Sequence, residues 1–299
     1  ADVAYVPQQR MWVIPTFFDH RLLAYELLAP GATVGPVQGT CILGGSGGEP
    51  EMVQRFLELA GGERAKIVVI PTAAGGDGDN LGQGSIRRFK GAGVESVVVL
   101  RTRDPHIANS DAFVEPLKSA TGVWFGGGRQ WRLVDAYQGT QTLREIRGVL
   151  KRGGVIAGGS AGATIQGSFL ARGDTTGNQI MMGDHQEGFG FVKKVAVDQH
   201  LLARNRQFDL MEIVQAHPEL LGIGLDEGAA IVVQGNELEV IGTSYVVIYD
   251  YHKTIHGFGP FYFLQPGDTY DLKTRTPMQQ RRSEKALDKL VEKSWPKLR

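Results

Sequence analysis

The chain has 299 residues, 42% hydrophobic and 21% charged, with a formal net charge of zero. That is an ordinary globular composition, and a chain this long buries roughly 75% of its unfolded surface without needing staples. The neutral balance offers no bulk field for nucleic acid or an anionic membrane. No apolar run approaches the ~20 residues of a spanning helix, and the lone Cys41 rules out an intrachain disulfide framework.

Residues 1–38 read as an N-terminal extension packing on the main body, with Met11 to Phe18 a strand or an apolar arm and Pro30 to Pro36 a loop. The chain begins at Ala1 rather than Met. That suits an exported protein and equally a trimmed one, so cytoplasm and export both stay open. From residue 39 apolar runs alternate with helical spacing. Strands are expected at Thr40–Gly44, Lys66–Pro71, Ser96–Leu100, Gly122–Phe125 and Val155–Ala157. Helices are expected at 49–60, 81–92, 111–119, 130–137 and 142–151. This alternation predicts right-handed βαβ units around a mostly parallel central sheet flanked by helices. Ligands bind such sheets at the carboxyl ends of the strands. The glycine clusters at 44–48, 126–128 and 158–159 fall there.

Further along, Val195 to His200 reads as a strand leading into a helix over 201–216. Gly222–Leu225, Ala229–Val233, Glu237–Ile241 and Tyr245–Tyr249 read as antiparallel strands added to the same sheet, with a hairpin at Gly235-Asn236. No linker splits the chain, so 39–272 is expected to be one α/β domain. The tail, 273–299, reads as a surface helix with Leu287 and Leu290 on one face.

Between the fifth strand and the turn of helix expected over 163–166 lies Gly158-Gly159-Ser160-Ala161-Gly162. A G-x-S-x-G run at a strand-to-helix turn is the pattern that lifts a serine Oγ above a sheet. The helix-opening N–H groups then face any anion formed beside it. The alternatives are a plain glycine-rich turn, or one that binds phosphate through its N–H groups.

A nucleophilic serine needs a base and an acid to orient it. Of seven histidines, His200 stands at a strand end and ranks first, and His185 ranks second. His200 capping the next helix, or pairing with Asp198, is an equally weighted alternative. Asp226 and Glu227 stand at another strand end, where a solvated acidic pair is the commoner fate. The order Ser160, His200, Glu227 differs from that of α/β-hydrolases, in which the acid precedes the histidine, and argues for another fold.

Four segments together resemble one family: Phe125-Gly-Gly-Gly-Arg-Gln130, Gly159-Ser-Ala-Gly-Ala163, Asp198-Gln-His200 with Arg204 and Arg206, and Gly222-Ile-Gly-Leu-Asp-Glu227. The chain resembles cyanophycinase and its relatives, serine exopeptidases related to bacterial aspartyl dipeptidase. In fold these are similar to class I glutamine amidotransferases and related to flavodoxin. The resemblance implies Ser160 as nucleophile, His200 as base and Glu227 as the orienting acid. It implies that Gln130, Asp198, Gln199, Arg204 and Arg206 line the substrate pocket. It also implies a homodimer, no metal or organic cofactor, and cyanophycin, or another β-aspartyl peptide, as substrate. In the expected reaction β-aspartyl-arginine leaves from the polymer's C-terminal end.

Within that resemblance Ala161, with Gly127 or Gly128, is expected to supply oxyanion N–H groups. Arg204 and Arg206, on the helix after His200, would bind substrate carboxylates, and Asp198 a substrate amine or guanidinium. Two positions depart from the pattern. Asp209 stands where cyanophycinases carry a third arginine, and Arg129 where they carry an acid or amide, so Arg129 joins the pocket candidates. An aspartyl or isoaspartyl dipeptidase and a non-catalytic ligand-binding homologue remain alternatives. A glutamine amidotransferase fits less well, because that chemistry uses cysteine at the elbow and Cys41 lies on the first strand of the domain.

Overall fold

In the computed structural model the chain is described at residues 32–76, 80–253 and 261–279, together with the backbone of three N-terminal strands. Those strands, β1 (Ala4–Val6), β2 (Met11–Pro15) and β3 (Leu22–Glu26), form an antiparallel sheet of their own. The expected packing of residues 1–31 on the body lies outside the described side chains. Residues 32–36 do join the body: Gly35 N–H donates to Gly235 O and Val34 N–H to Asn236 Oδ1.

The alternating part follows the βα pattern. It runs β4 (Thr40–Gly44), α1 (Pro50–Ala60), β5 (Lys66–Ile70), α2 (Gln83–Gly91), β6 (Ser96–Val99), α3 (Pro105–Ala108) and α4 (Asp111–Lys118). Then come β7 (Gly122–Phe125), α5 (Trp131–Tyr137), α6 (Gln141–Lys151) and β8 (Val155–Gly159). The five strands are parallel, in the order β4-β8-β7-β5-β6. Strand periodicity sends Val68 and Ile70 to one face and Ile67 and Val69 to the other, and each face meets its own helix layer. On the second face Phe56, Phe89 and Trp124 meet with ring centroids 5.1–5.5 Å apart. Met52, Phe56 and Ala60 reach that face because they recur every four residues along α1. Truncating a buried Phe56 to alanine costs about 3–5 kcal/mol.

After β8 the pattern breaks. The helix expected over 163–166 is the four-residue α7 (Ala161–Thr164), and β9 (Gly167–Phe169) follows. β10 (Val192–Gln199) is longer than expected. The helix expected over 201–216 is only α8 (Leu210–Ala216), and residues 201–209 form turns. The cause is local: His200 and Asn205 both have φ of 54°, outside helical space. Asp226 Oδ1 accepts from Leu202 and Ala203 N–H at 2.9 and 3.0 Å, fixing a turn in place of a helix.

The remaining strands are β11 (Leu221–Leu225), β12 (Ala229–Gln234), β13 (Glu237–Gly242), β14 (Val246–Asp250), β15 (Phe261–Leu264), β16 (Thr269–Asp271) and β17 (Thr276–Gln279). They do not all extend one sheet, as the sequence suggests. β12, β13, β16 and β17 add antiparallel beyond β4, giving nine strands. β11 and β14 instead join a second sheet, β15-β14-β11-β10-β9, in which β11 runs parallel to β10. Both are buried along their whole length, each between two strands of that sheet. Residues 276–279 are strand rather than tail helix, and the spacing at Leu287 and Leu290 lies outside the described residues. Among the described residues no helix is long and apolar enough to cross a membrane.

Candidate active site

The carboxyl ends of β4, β7, β8, β10 and β11 converge. Ser160 follows β8 with φ 55° and ψ −122°, a conformation that costs an L-residue strain and that its surroundings enforce. Its N–H donates to Gly44 O at 3.1 Å, and its carbonyl accepts from Ala163 and Thr164 N–H at 2.9 and 3.1 Å. Behind it the chain admits no side chain: a Cβ on Gly159 would lie 2.1 Å from Gly47 Cα. The Gly45–Gly48 loop is itself held by Glu49, 5% exposed, whose carboxylate accepts from Ser46 N–H, Ser46 Oγ and Gly47 N–H at 2.7–2.9 Å.

His200 stands at the end of β10 and Glu227 just past β11, so parallel neighbours in the second sheet bring both to the serine of the first. His200 Nε2 lies 3.0 Å from Ser160 Oγ and Nδ1 lies 2.5 Å from Glu227 Oε1. With Nδ1 carrying the proton, Nε2 is free to accept one from the serine. Asp226 turns inward from its neighbour. Besides its two N–H bonds it accepts from Ser244 Oγ at 2.8 Å, and so anchors the turn that follows His200. His185, the second-ranked base, is held by Asp135 and Asp184 at 2.7 and 3.1 Å.

Burial lowers the His200 pKa below its ordinary value, the Glu227 bond works against that, and the nearby Arg204 cation lowers it further. The net shift favours the neutral imidazole, the form a general base needs. On the other side of Ser160, a Cβ on Gly127 would lie 3.8 Å from its Oγ. Among the described residues the Gly127 and Ala161 N–H groups have no acceptor. Gly128 has φ 141° and packs where a Cβ would meet Ala73 O at 2.1 Å, so only glycine fits.

Residues 41–241 match the family model described as Peptidase family S51. The chain belongs to that family. It is 34% identical over 247 residues to the cyanophycinase of Geminocystis herdmanii, covering 76% of this chain and 90% of the relative. It is 32% identical over 245 residues to that of a Nostoc species, covering 76% and 82%. In structure it is similar to a peptidase from an acI-B1 actinobacterium, with TM-score 0.63, 25% identity and coverage of 79% and 98%. It is therefore a serine-type peptidase built on the S51 fold.

The polar wall of this S51 site contains one residue that the sequence reading missed. Arg172 is fully buried with φ 56°. It bonds both carboxylate oxygens of fully buried Asp198, at 2.8 and 2.9 Å, and also Asp209 and Asn178 O. Burial opposes its charge, but the bonds to Asp198 and Asp209 outweigh burial and its pKa is raised. The only sequence signal is a cation following the apolar run Phe169–Ala171. Arg206 is also buried, 3.9 Å from Asp198, and donates to Gln199 O and Oε1. Gln130, 1% exposed, donates to Ala171 O and Arg172 O, while its Oε1 has no partner among the described residues. Arg129 donates to Asp174 O and Gly177 O, bracing the loop after Arg172. Arg204 is exposed on the turn, not on a helix as expected. Among the described residues no group of three or more His, Cys, Asp or Glu is placed to hold a metal.

Proposed function

We propose that the chain hydrolyses cyanophycin, releasing β-aspartyl-arginine, through Ser160, His200 and Glu227 and an acyl-enzyme. The observation that carries this reading is the unbroken line of hydrogen bonds from Glu227 through His200 to Ser160. Relatives named cyanophycinase, aligned over three quarters of the chain, support the substrate.

In this scheme Ser160 Oγ attacks the scissile carbonyl as its proton passes to His200 Nε2. Glu227 stabilises the imidazolium, and the Ala161 and Gly127 N–H groups, with Gly128 beside them, receive the oxyanion. Collapse breaks the C–N bond, and the imidazolium hands its proton to the leaving amine. Water, activated by the same histidine, then releases the acid product. Arg204 meets a free carboxylate of the substrate. Gln130, Asp198, Gln199, Arg206 and Arg129 act from behind, shaping the wall. The working assembly carried over from the resemblance is a homodimer, which light scattering checks.

The test is digestion of soluble cyanophycin by wild type and Ser160→Ala, with β-aspartyl-arginine followed by chromatography and Ser160 probed by a fluorophosphonate. Loss of product and of labelling in the variant is expected. Equal product from both proteins overturns the mechanism, and a labelled wild type that releases nothing from the polymer overturns the substrate.

A further inference from the structure

The sequence assigns Asp198 to a substrate cation, yet that carboxylate is fully buried and Arg172 engages both of its oxygens. Asp209 is in a different position. It is joined to the same guanidinium through Oδ2 only. Its side chain is 35% exposed, and Oδ1 has no partner among the described residues. The open carboxylate of this wall is therefore displaced from Asp198 to Asp209, by the width of one guanidinium.

Asp209 does not stand alone at the rim. Its neighbour Phe208 is 61% exposed. Phe208 packs edge-on against Phe261 with centroids 5.8 Å apart, which continues through Phe263 to Tyr245 at 6.0 and 5.9 Å. Tyr245 O accepts from Asp226 N–H, next to Glu227. The rings thus run from the turn after His200 to the residue bonded to the Asp226 backbone. An aromatic ring beside a half-open carboxylate is what a planar cation takes: the ring quadrupole attracts the charge, and the free carboxylate oxygen accepts from the guanidinium N–H groups. The same turn carries Arg204, exposed and with no side-chain hydrogen bond or ion pair among the described residues. A single arginine unit, with its own carboxylate and guanidinium, offers the complement to that pair of charges.

We propose that Phe208 and Asp209 form a subsite for a substrate guanidinium, and that this subsite, not Asp198, selects arginine-bearing substrates. The proposal rests on the β-aspartyl-peptidase reading above and deepens it. Arg172 holds Asp209 in place, leaving one oxygen for the ligand.

The test compares two β-aspartyl peptides identical except for arginine in one and citrulline, its neutral isostere, in the other. Wild type is expected to favour arginine at least tenfold in kcat/KM, mostly through KM. Asp209→Asn should compress the ratio to about twofold by weakening arginine alone, and Phe208→Leu should compress it partly. A carboxylate with only a structural role would lower both substrates together and leave the ratio unchanged, which overturns the proposal, as does a wild type indifferent to the substitution. If neither peptide is cleaved although Ser160 labels, the substrate class fails independently. The subsite is then read by calorimetric binding of agmatine, present in wild type and lost in Asp209→Asn if it exists, equal in both or absent from wild type if it does not.

Discussion

Gly47 and Gly159 meet backbone to backbone, with no room for a Cβ between them: a methyl on Gly159 would lie 2.1 Å from Gly47 Cα. The loop after β4 is thus a rigid backstop for the strained turn at Ser160. Gly159→Ala must push that loop away, a rearrangement worth about 1–3 kcal/mol of overpacking. Serine labelling and peptidase activity should fall at least tenfold in protein that still unfolds cooperatively on heating. Unchanged labelling would show that the loop gives way without disturbing the serine.

Glu227→Gln keeps the size of the side chain but removes the charge that favours a proton on His200 Nδ1. In the well-studied Ser-His-Asp case the matching change costs about 10^4 in kcat through the wrong tautomer. Glu227 is 48% exposed at its side chain, so solvent softens the effect, and a loss of about 10^2 or more is expected at neutral pH. Steady-state kinetics with KM and kcat separated measures it, and a loss confined to KM would contradict the assignment.

The pH profile follows from the environment of His200. Its pKa is lowered from the ordinary 6.5 by burial first, with Arg204 adding to the shift and Glu227 opposing it. In the proposed mechanism the neutral form is the base, so activity is expected above the folded pKa and is lost as pH falls through it. The acid limb of kcat/KM, scanned between about pH 4.5 and 8, should therefore have its midpoint below 6.5. Arg204→Gln removes a cation that disfavours protonation and should move the midpoint upward. An unchanged midpoint would mean that Arg204 does not act on the imidazole.

Arg172 and Asp198 are both fully buried and bonded through two pairs of atoms. Breaking such a pair from one side leaves a stranded charge and costs about 3–5 kcal/mol. Asp198→Leu and Arg172→Met should each lower the denaturation midpoint strongly. The double variant should be less damaged than the sum of the two, even with Asp209 left without its partner. Additive losses in a double-mutant cycle would mean that the two side chains do not depend on each other.

Much of the body was legible because its signals are local. The five parallel strands announce themselves as short Val- and Ile-rich runs between helical repeats. Glycine at their ends marks the rim, and Ser160 sits at the one run with an elbow pattern. The helix over 201–216 is drawn too long because Leu210, Ile213 and Val214 carry true helical spacing, while the bond from Asp226 that forbids its first half comes from 23–24 residues away. The second sheet was illegible for a similar reason, since β11 and β12 are equally apolar and nothing in either names its partner. Arg172 was missed because its importance is a matter of burial, and a single cation beside an apolar run looks the same whether it ends in water or in the core.

The serine belongs to the nine-stranded layer, whereas the imidazole and the glutamate hang from the five-stranded one. A growing polypeptide released as far as β9 would already own the elbow, yet would have nothing to draw the hydroxyl proton away. Under the proposed mechanism a chain ending before β10 would therefore hold the serine without the base and acid that activate it.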